Sequence, residues 1–197
     1  MVGPGSTNPT SPAGTAELLF HFCNIIARLP LPLTFPFYIR LMSHSYNSCL
    51  VHLVFSTKER RKSIPSQLAP RIWQFIGGTA RELGMKAVIV GGVEDHAHVL
   101  VSLPATISVS KAVQNIKANS SRWIHETFPA MKDFGWQEGY GAFSVSVSQK
   151  ESTVAYIRSQ VDHHRKVDFQ QEFRAFLNKH GIEIAPDEFS NVPPALE

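Results

Sequence analysis

The chain reads as an α+β protein of the ferredoxin-like, split βαβ kind: an antiparallel sheet with helices on one face, followed by C-terminal helices that carry a notable tyrosine. Three patterns predict it. Strand-length runs of β-formers and helix-period segments succeed one another in the order β-α-β-β-α-β. Phe143, Val145 and Val147 alternate strictly with Ser144, Ser146 and Ser148, the period-two signature of a half-buried strand. Two more helix-period segments close the sequence after that strand.

The first strand runs from Tyr46 to Ser56 on Leu50, Val51, Leu53, Val54 and Phe55, and leaves through the charged run Lys58-Glu59-Arg60-Arg61-Lys62. Leu68, Ile72, Phe75, Ile76, Ala80 and Leu83 recur at helical spacing between Pro65-Ser66 and Gly84, giving the first helix. Ala87 to Val90 is a short apolar strand running into Gly91-Gly92, and His96 to Leu103 is another, ended by Pro104; the two form a hairpin. Ser108 is the expected N-cap of a helix whose inward stripe is Val109, Ala112, Val113, Ile116, Trp123 and Ile124, ending near Phe128-Pro129. Ser148-Gln149-Lys150-Glu151 matches a capping box for the helix holding Tyr156 and Gln160, with Val154, Ile157 and Val161 as its apolar stripe. Phe169 to His180 makes the last helix, stopped at Gly181.

Composition narrows the function only slightly. With 19 basic and 16 acidic residues among 197, the net charge of +3 leaves nucleic-acid binding to local patches. Cys23 and Cys49 fit neither a disulfide framework nor a zinc knuckle, so a reducing cytoplasm is expected. Residues 1–41 differ from the rest: Gly, Pro, Ser and Thr dominate 3–15, and the apolar run from Leu18 to Ala27 is too short to span a bilayer. No basic residue precedes Arg28, which argues against a secretory signal. The segment reads as an arm, disordered or lying upstream of a true start at Met42, before a domain over 42–184 and a tail over 185–197.

The chemistry gathers on His96-Ala97-His98 and Tyr156. Histidines at i and i+2 of a strand share a face, as do residues at i and i+4 of a helix. Ala97, Val99, Val101 and Leu103 form the uniformly apolar side expected under the helices, which leaves His96, His98, Leu100 and Ser102 on a sheet face expected to be open. Alone, such a histidine pair most often just hydrogen-bonds its neighbours, and a tyrosine at an interface edge is ordinary. Together they suggest more. A phenol titrating near ~10 is a poor nucleophile at neutral pH and needs a cation beside it. His96, His98 and Gln160 supply two imidazoles and an amide oxygen for a divalent metal, Mg2+ or Mn2+ with bound water, although imidazole also tolerates zinc. Tyr156 would then displace a 3′ hydroxyl and retain a 5′-phosphotyrosine, conserving the bond for rejoining. Asp95 is an orienter of the pair, an extra ligand or a turn residue. Candidate DNA contacts are Lys58, Arg60, Arg61 and Lys62 in one cluster and Lys117, Ser120 and Arg122 along the second long helix, with Trp136 as a loop contact.

The ordered set Val51-His52-Leu53-Val54-Phe55-Ser56-Thr57-Lys58, His96-Ala97-His98-Val99-Leu100-Val101, Lys117-Ala118-Asn119-Ser120-Ser121-Arg122, Trp136-Gln137-Glu138-Gly139-Tyr140 and Tyr156-Ile157-Arg158-Ser159-Gln160 resembles the single-tyrosine HUH transposases of small bacterial insertion sequences, including the REP-associated tyrosine transposases. The resemblance runs from about His44 to Ile184. It implies metal ligation by His96, His98 and Gln160, nucleophilic attack by Tyr156, and single-stranded DNA hairpins as substrate. It also implies a homodimer in which the tyrosine helix can be exchanged between subunits. Two rivals remain at this point: a DNA-binding module that holds hairpins without cutting, and a metallohydrolase using His96, His98 and His163 or His164.

Overall fold

β-branched and aromatic residues at alternating positions give each strand two distinct faces, and the fold follows from what covers them. The computed structural model describes residues 46–183. Its strands are β1 (Leu50–Ser56), β2 (Lys86–Gly92), β3 (His96–Ser102) and β4 (Gly141–Val145). They pair antiparallel in the order β2-β3-β1-β4, the split βαβ topology expected from the sequence. Gly92 closes the β2–β3 hairpin at φ 150, where a Cβ would meet the His96 carbonyl oxygen at 2.2 Å.

Two helices cover the first sheet face. Helix α1 (Ala69–Glu82) has Pro70 in its first turn, and α2 (Val109–Thr127) begins at Ser108, whose hydroxyl accepts the Lys111 backbone N–H at 3.2 Å. Their stripes meet Leu53, Phe55, Val99 and Val101 of the sheet in one core with Ile72, Ile76, Ala112 and Ile116. Each such fully buried Leu, Ile, Val or Phe side chain contributes roughly 1.5–3 kcal/mol. Trp123 stacks on Phe75 with ring centroids 4.4 Å apart, joining α2 to α1.

The second face is covered too, which corrects the expectation of an open one. Helix α3 (Lys150–Arg158), the single turn α4 (Gln160–His163) and α5 (Phe169–Lys179) belong to the same chain. Val154 and Ile157 of α3 pack on Leu100, while Phe169, Phe173, Phe176 and Leu177 of α5 pack on Val54 and Phe143. Phe169, Phe173, Phe176 and Leu177 sit at i, i+4, i+7 and i+8, the stripe a helix needs to bury against a sheet.

Several local expectations shift. β4 ends at Val145, and Val147 lies 70% exposed in a 3-10 turn, because that segment leaves the sheet to start α3. No capping box forms at Ser148: Gln149 holds the N-cap position without a side-chain cap, and its carbonyl accepts from Ser152 and Thr153. The tyrosine helix breaks at Ser159, where ψ is 10, so Tyr156 and Gln160 stand on separate turns. Past that break Val161 is 61% exposed and leaves the apolar stripe, while Gln160 turns inward. The sequence readings for residues 1–41 and 185–197 fall outside the described residues. Among those described, no helix is long and apolar enough to cross a membrane.

Candidate active site

Between the two apolar islands of the second face, β3 sends His96 and His98 toward the C-terminal helices, and both side chains are fully buried. β1 adds His52, whose Nε2 lies 3.0 Å from His98 Nδ1, with the rings stacked. The Asp95 carboxylate stands 2.6 Å from His96 Nδ1, so the orienting role is the one its geometry fits. Helix α3 places the Tyr156 ring edge-on to His98 with centroids 5.9 Å apart. Gln160 Oε1 stands 3.4 Å from His96 Nε2.

The residue that organises the cluster is Glu172 on α5. Its Oε1 accepts the Tyr156 hydroxyl and, at 3.1 Å, the Gln160 amide N–H. Its Oε2 lies 3.5 Å from His96 Nε2, 3.4 Å from His98 Nε2 and 3.3 Å from His164 Nε2. Sequence reasoning missed this residue. The signal was there: Glu172 sits three residues after Phe169 and directly before Phe173, inside the apolar stripe of α5, and a carboxylate in such a stripe needs partners. His52 was missed as well, since a single histidine in a strand carries no pattern of its own.

Burial and these neighbours set the charges. Burial lowers His98 to about 4, helped by the other histidines and opposed by the Glu172 carboxylate. Burial likewise lowers His52 to about 3, with His98 adding to it. For Asp95, burial raises the carboxyl, but the bond to His96 prevails and holds it below its usual range. Burial pushes Glu172 upward too, yet His164, His98 and the Tyr156 hydroxyl together keep it ionised, well below the ordinary carboxylate range. Tyr156 is raised, first by burial and then by its bond to Glu172 and that carboxylate's charge, so the phenol is held neutral. His164 ends above its ordinary value because the Glu172 carboxylate outweighs burial.

A cleft of about 900 Å³ reaches the Tyr156 side of the cluster and is lined by His52, Phe143, Ser146, Thr153, Tyr156 and Phe176 among others. The basic candidates divide. Lys58, Arg61, Lys62 and Arg122 are exposed. Arg60 is buried, and Ser120 is buried too, its hydroxyl donating to the Ile116 carbonyl and accepting from Trp136 Nε1. Lys117 donates to the carbonyls of Gln137 and Gly139 and is lowered by burial. Lys117 and Ser120 hold the loop over 135–139 against the core, and Trp136 packs there on Phe55 and Phe134.

A metal fits this cluster. His98 Nε2, His164 Nε2 and Glu172 Oε2 are buried without a hydrogen-bond partner, which is costly unless something charged sits between them. With His96 they form a set whose ligand atoms all lie within 4.8 Å of one another.

The histidine pair of the central strand β3 thus faces a helix that carries a tyrosine, and the comparisons give the family. A family model described as "Transposase IS200 like" matches residues 45–160, and the chain belongs to that family. It is 24% identical over 116 residues to the ISDra2 transposase TnpA of Deinococcus radiodurans, covering 56% of this chain and 83% of that one. It is 24% identical over 91 residues to the transposase for insertion sequence element IS200 of Salmonella typhimurium, spanning 46% of this chain and 60% of the relative. A crystal structure described as a transposase of Deinococcus radiodurans superposes with TM-score 0.50 at 22% identity, covering 60% of this chain and 95% of the other, and shares the fold.

Proposed function

We propose that this protein cleaves and rejoins single-stranded DNA at hairpin ends, with Tyr156 as nucleophile and His96, His98 and Gln160 as donors for a divalent cation, Mg2+ or Mn2+. The observation that carries the reading is the meeting of the Tyr156 phenol with the histidine pair in one buried polar cluster at the end of an open cleft. Tyr156 Oη attacks the phosphorus in line, the P–O3′ bond breaks, and the 3′ oxygen leaves with a proton while the phosphate stays on the tyrosine as a 5′-phosphotyrosine. Attack of a 3′ hydroxyl on that ester reverses the step and joins strands without an outside energy source.

The chain's own groups serve this in distinct ways. Asp95 fixes His96 through Nδ1, and His52 fixes His98 in the same manner. Glu172 accepts the phenol's hydrogen bond, which orients Tyr156 and gives its proton a destination. When bound, the cation supplies the positive charge that lowers the phenol's proton affinity and offsets charge on the transferring phosphate. Lys58, Arg61, Lys62 and Arg122, all exposed, are the proposed contacts to the DNA backbone. A homodimer belongs to the same reading; exchange of the tyrosine helix is not needed for a complete site, since Tyr156 already meets His98 of its own chain.

The test is a denaturing-gel assay of the full chain with labelled single-stranded hairpins and Mg2+ or Mn2+, beside Tyr156→Phe and a chelator control. Cleavage with a slow-migrating protein–DNA band that needs both the metal and Tyr156 is expected. Full cleavage by Tyr156→Phe would remove the nucleophile assignment and favour a hydrolase, the reading that His164 beside His96 also permits.

A further inference from the structure

The family model stops at residue 160, yet two of the groups that converge on the histidine pair come after it. We infer that His164 and Glu172 complete, with His96 and His98, a four-ligand site of three imidazoles and one carboxylate for an imidazole-preferring transition metal such as Zn2+. The inference deepens the proposed function, resting on its metal-binding part and not on Tyr156 as nucleophile.

The hydrogen bonds on the far side of each ring carry the argument. The Asp95 carboxylate oxygen, 2.6 Å away, accepts from His96 Nδ1, so the proton sits there and Nε2 presents a lone pair. His164 Nδ1 donates to the Val167 carbonyl at 2.8 Å, which leaves its Nε2 as a lone pair too. His98 Nδ1 is engaged with His52, and its Nε2 again faces inward without a hydrogen-bond partner. Two imidazole lone pairs and the unpartnered Nε2 of His98 therefore face the second oxygen of a buried carboxylate whose first oxygen is already taken by Tyr156 and Gln160. Acceptors crowded against acceptors repel, and a cation at their centre turns that repulsion into attraction.

The spacing around the carboxylate oxygen agrees with this, within a set whose ligand atoms all lie within 4.8 Å of one another. A four-coordinate Zn2+ with bonds of about 2.0–2.1 Å sets its ligand atoms about 3.3–3.4 Å apart. Glu172 Oε2 lies 3.5, 3.4 and 3.3 Å from the three nitrogens. Each histidine also has the outer hydrogen bond that metal-bound imidazoles use to fix their tautomer. Gln160 is the competing donor, but its Oε1 lies against His96 Nε2 alone, while its amide N–H is spent on Glu172. The donor set also bears on the ion: three imidazoles favour Zn2+ or Mn2+ over Mg2+, which keeps to oxygen and water.

The experiment is calorimetric titration of chelator-stripped full chain with ZnCl2, MnCl2 and MgCl2, using wild type, Glu172→Gln, His164→Gln, Gln160→Ala and His96→Ala. Metal-free melting of each variant checks folding, and the visible absorption of the Co2+ form reads coordination number directly. One equivalent of Zn2+ is expected to bind with intense four-coordinate Co2+ bands. His164→Gln and Glu172→Gln should each weaken Zn2+ by ~10-fold or more and bleach those bands, a larger loss than Gln160→Ala gives. Should Glu172→Gln fail to fold, the Co2+ spectrum of His164→Gln decides alone. Unchanged binding in His164→Gln and Glu172→Gln with loss in Gln160→Ala and His96→Ala would overturn this ligand set and leave the proposed function standing. Absence of binding by wild type for every metal would overturn both.

Discussion

The two faces of one sheet are built from the same strands and do opposite things. Under α1 and α2, Leu53, Phe55, Val99 and Val101 pack in one apolar cluster, and the layer is a conventional core. On the reverse side the alternate residues His52, His96 and His98 are just as buried, but they lie between two small apolar islands and face Glu172, Gln160 and Tyr156. The islands hold α3 and α5 over the cluster, so that His96, His98, Gln160 and Glu172 are buried while Tyr156 stays half-buried at the cleft. The buried groups must satisfy one another or a ligand. One face thus carries the stability of the fold, and that stability allows the other to keep costly, reactive groups at the end of a cleft.

If that division is right, substitutions on the two faces should separate. The largest stability effect belongs to the apolar face: Leu53→Ala and Ile76→Ala should each cost about 2–5 kcal/mol in denaturant unfolding, since both sites are fully buried. A loss under 1 kcal/mol at both would break the comparison. Next comes Gly91→Ala, where the new Cβ would meet Ile157 Cγ2 and its carbonyl oxygen at 2.9 Å, both on the tyrosine helix. It should cost about 1–3 kcal/mol and move α3, lowering strand cleavage more than it lowers the melting temperature would suggest.

The pH dependence sharpens the contrast, because the displaced histidines and Glu172 all lie on the polar face. His52 and His98 have folded values depressed from 6.5 to about 3 and about 4, so as pH falls below 6.5 the unfolded chain takes up protons first. The stability they provide is complete above 6.5 and is lost as pH falls toward 4. Glu172, also depressed, extends the loss below 4.5. His164 works the other way: its raised value gives stability below 6.5 that is lost as pH rises through the folded value. Metal-free protein should therefore melt lower at pH 4 than at pH 7, and His52→Gln should flatten that slope, as read by calorimetry. The smallest effect is Val161→Thr, within about 0.5 kcal/mol, because Val161 is exposed beyond the break at Ser159.

Much of this was legible in the chain. Period two in the strands, period 3.6 in the helices and Ser108 as a cap place the sheet order and the apolar face, and Ala97, Val99, Val101 and Leu103 point where alternation says they should. The histidine pair and Tyr156 were legible as partners because strand and helix periodicities each put them on one side. What the pattern lacked was the identity of the surface α5 covers. Its stripe was readable, but a stripe does not name its partner, so the reverse face was expected to be open and Glu172 went unread. Residue type also leaves packing unread. Among the DNA-contact candidates, Arg60 and Ser120 are buried and Lys117 bonds the Gln137 and Gly139 carbonyls, which residue type alone does not reveal. Val147 and Val161 continue their periodic patterns past the points where the backbone has already turned away.

The most direct test of the central claim is to map the covalent adduct. Protein incubated with a single-stranded hairpin and metal, then digested with nuclease and protease, should yield one modified peptide by mass spectrometry, carrying a 5′-linked nucleotide on Tyr156. A nucleotide on another residue, such as Tyr140, or efficient cleavage with no modified peptide, would contradict the account.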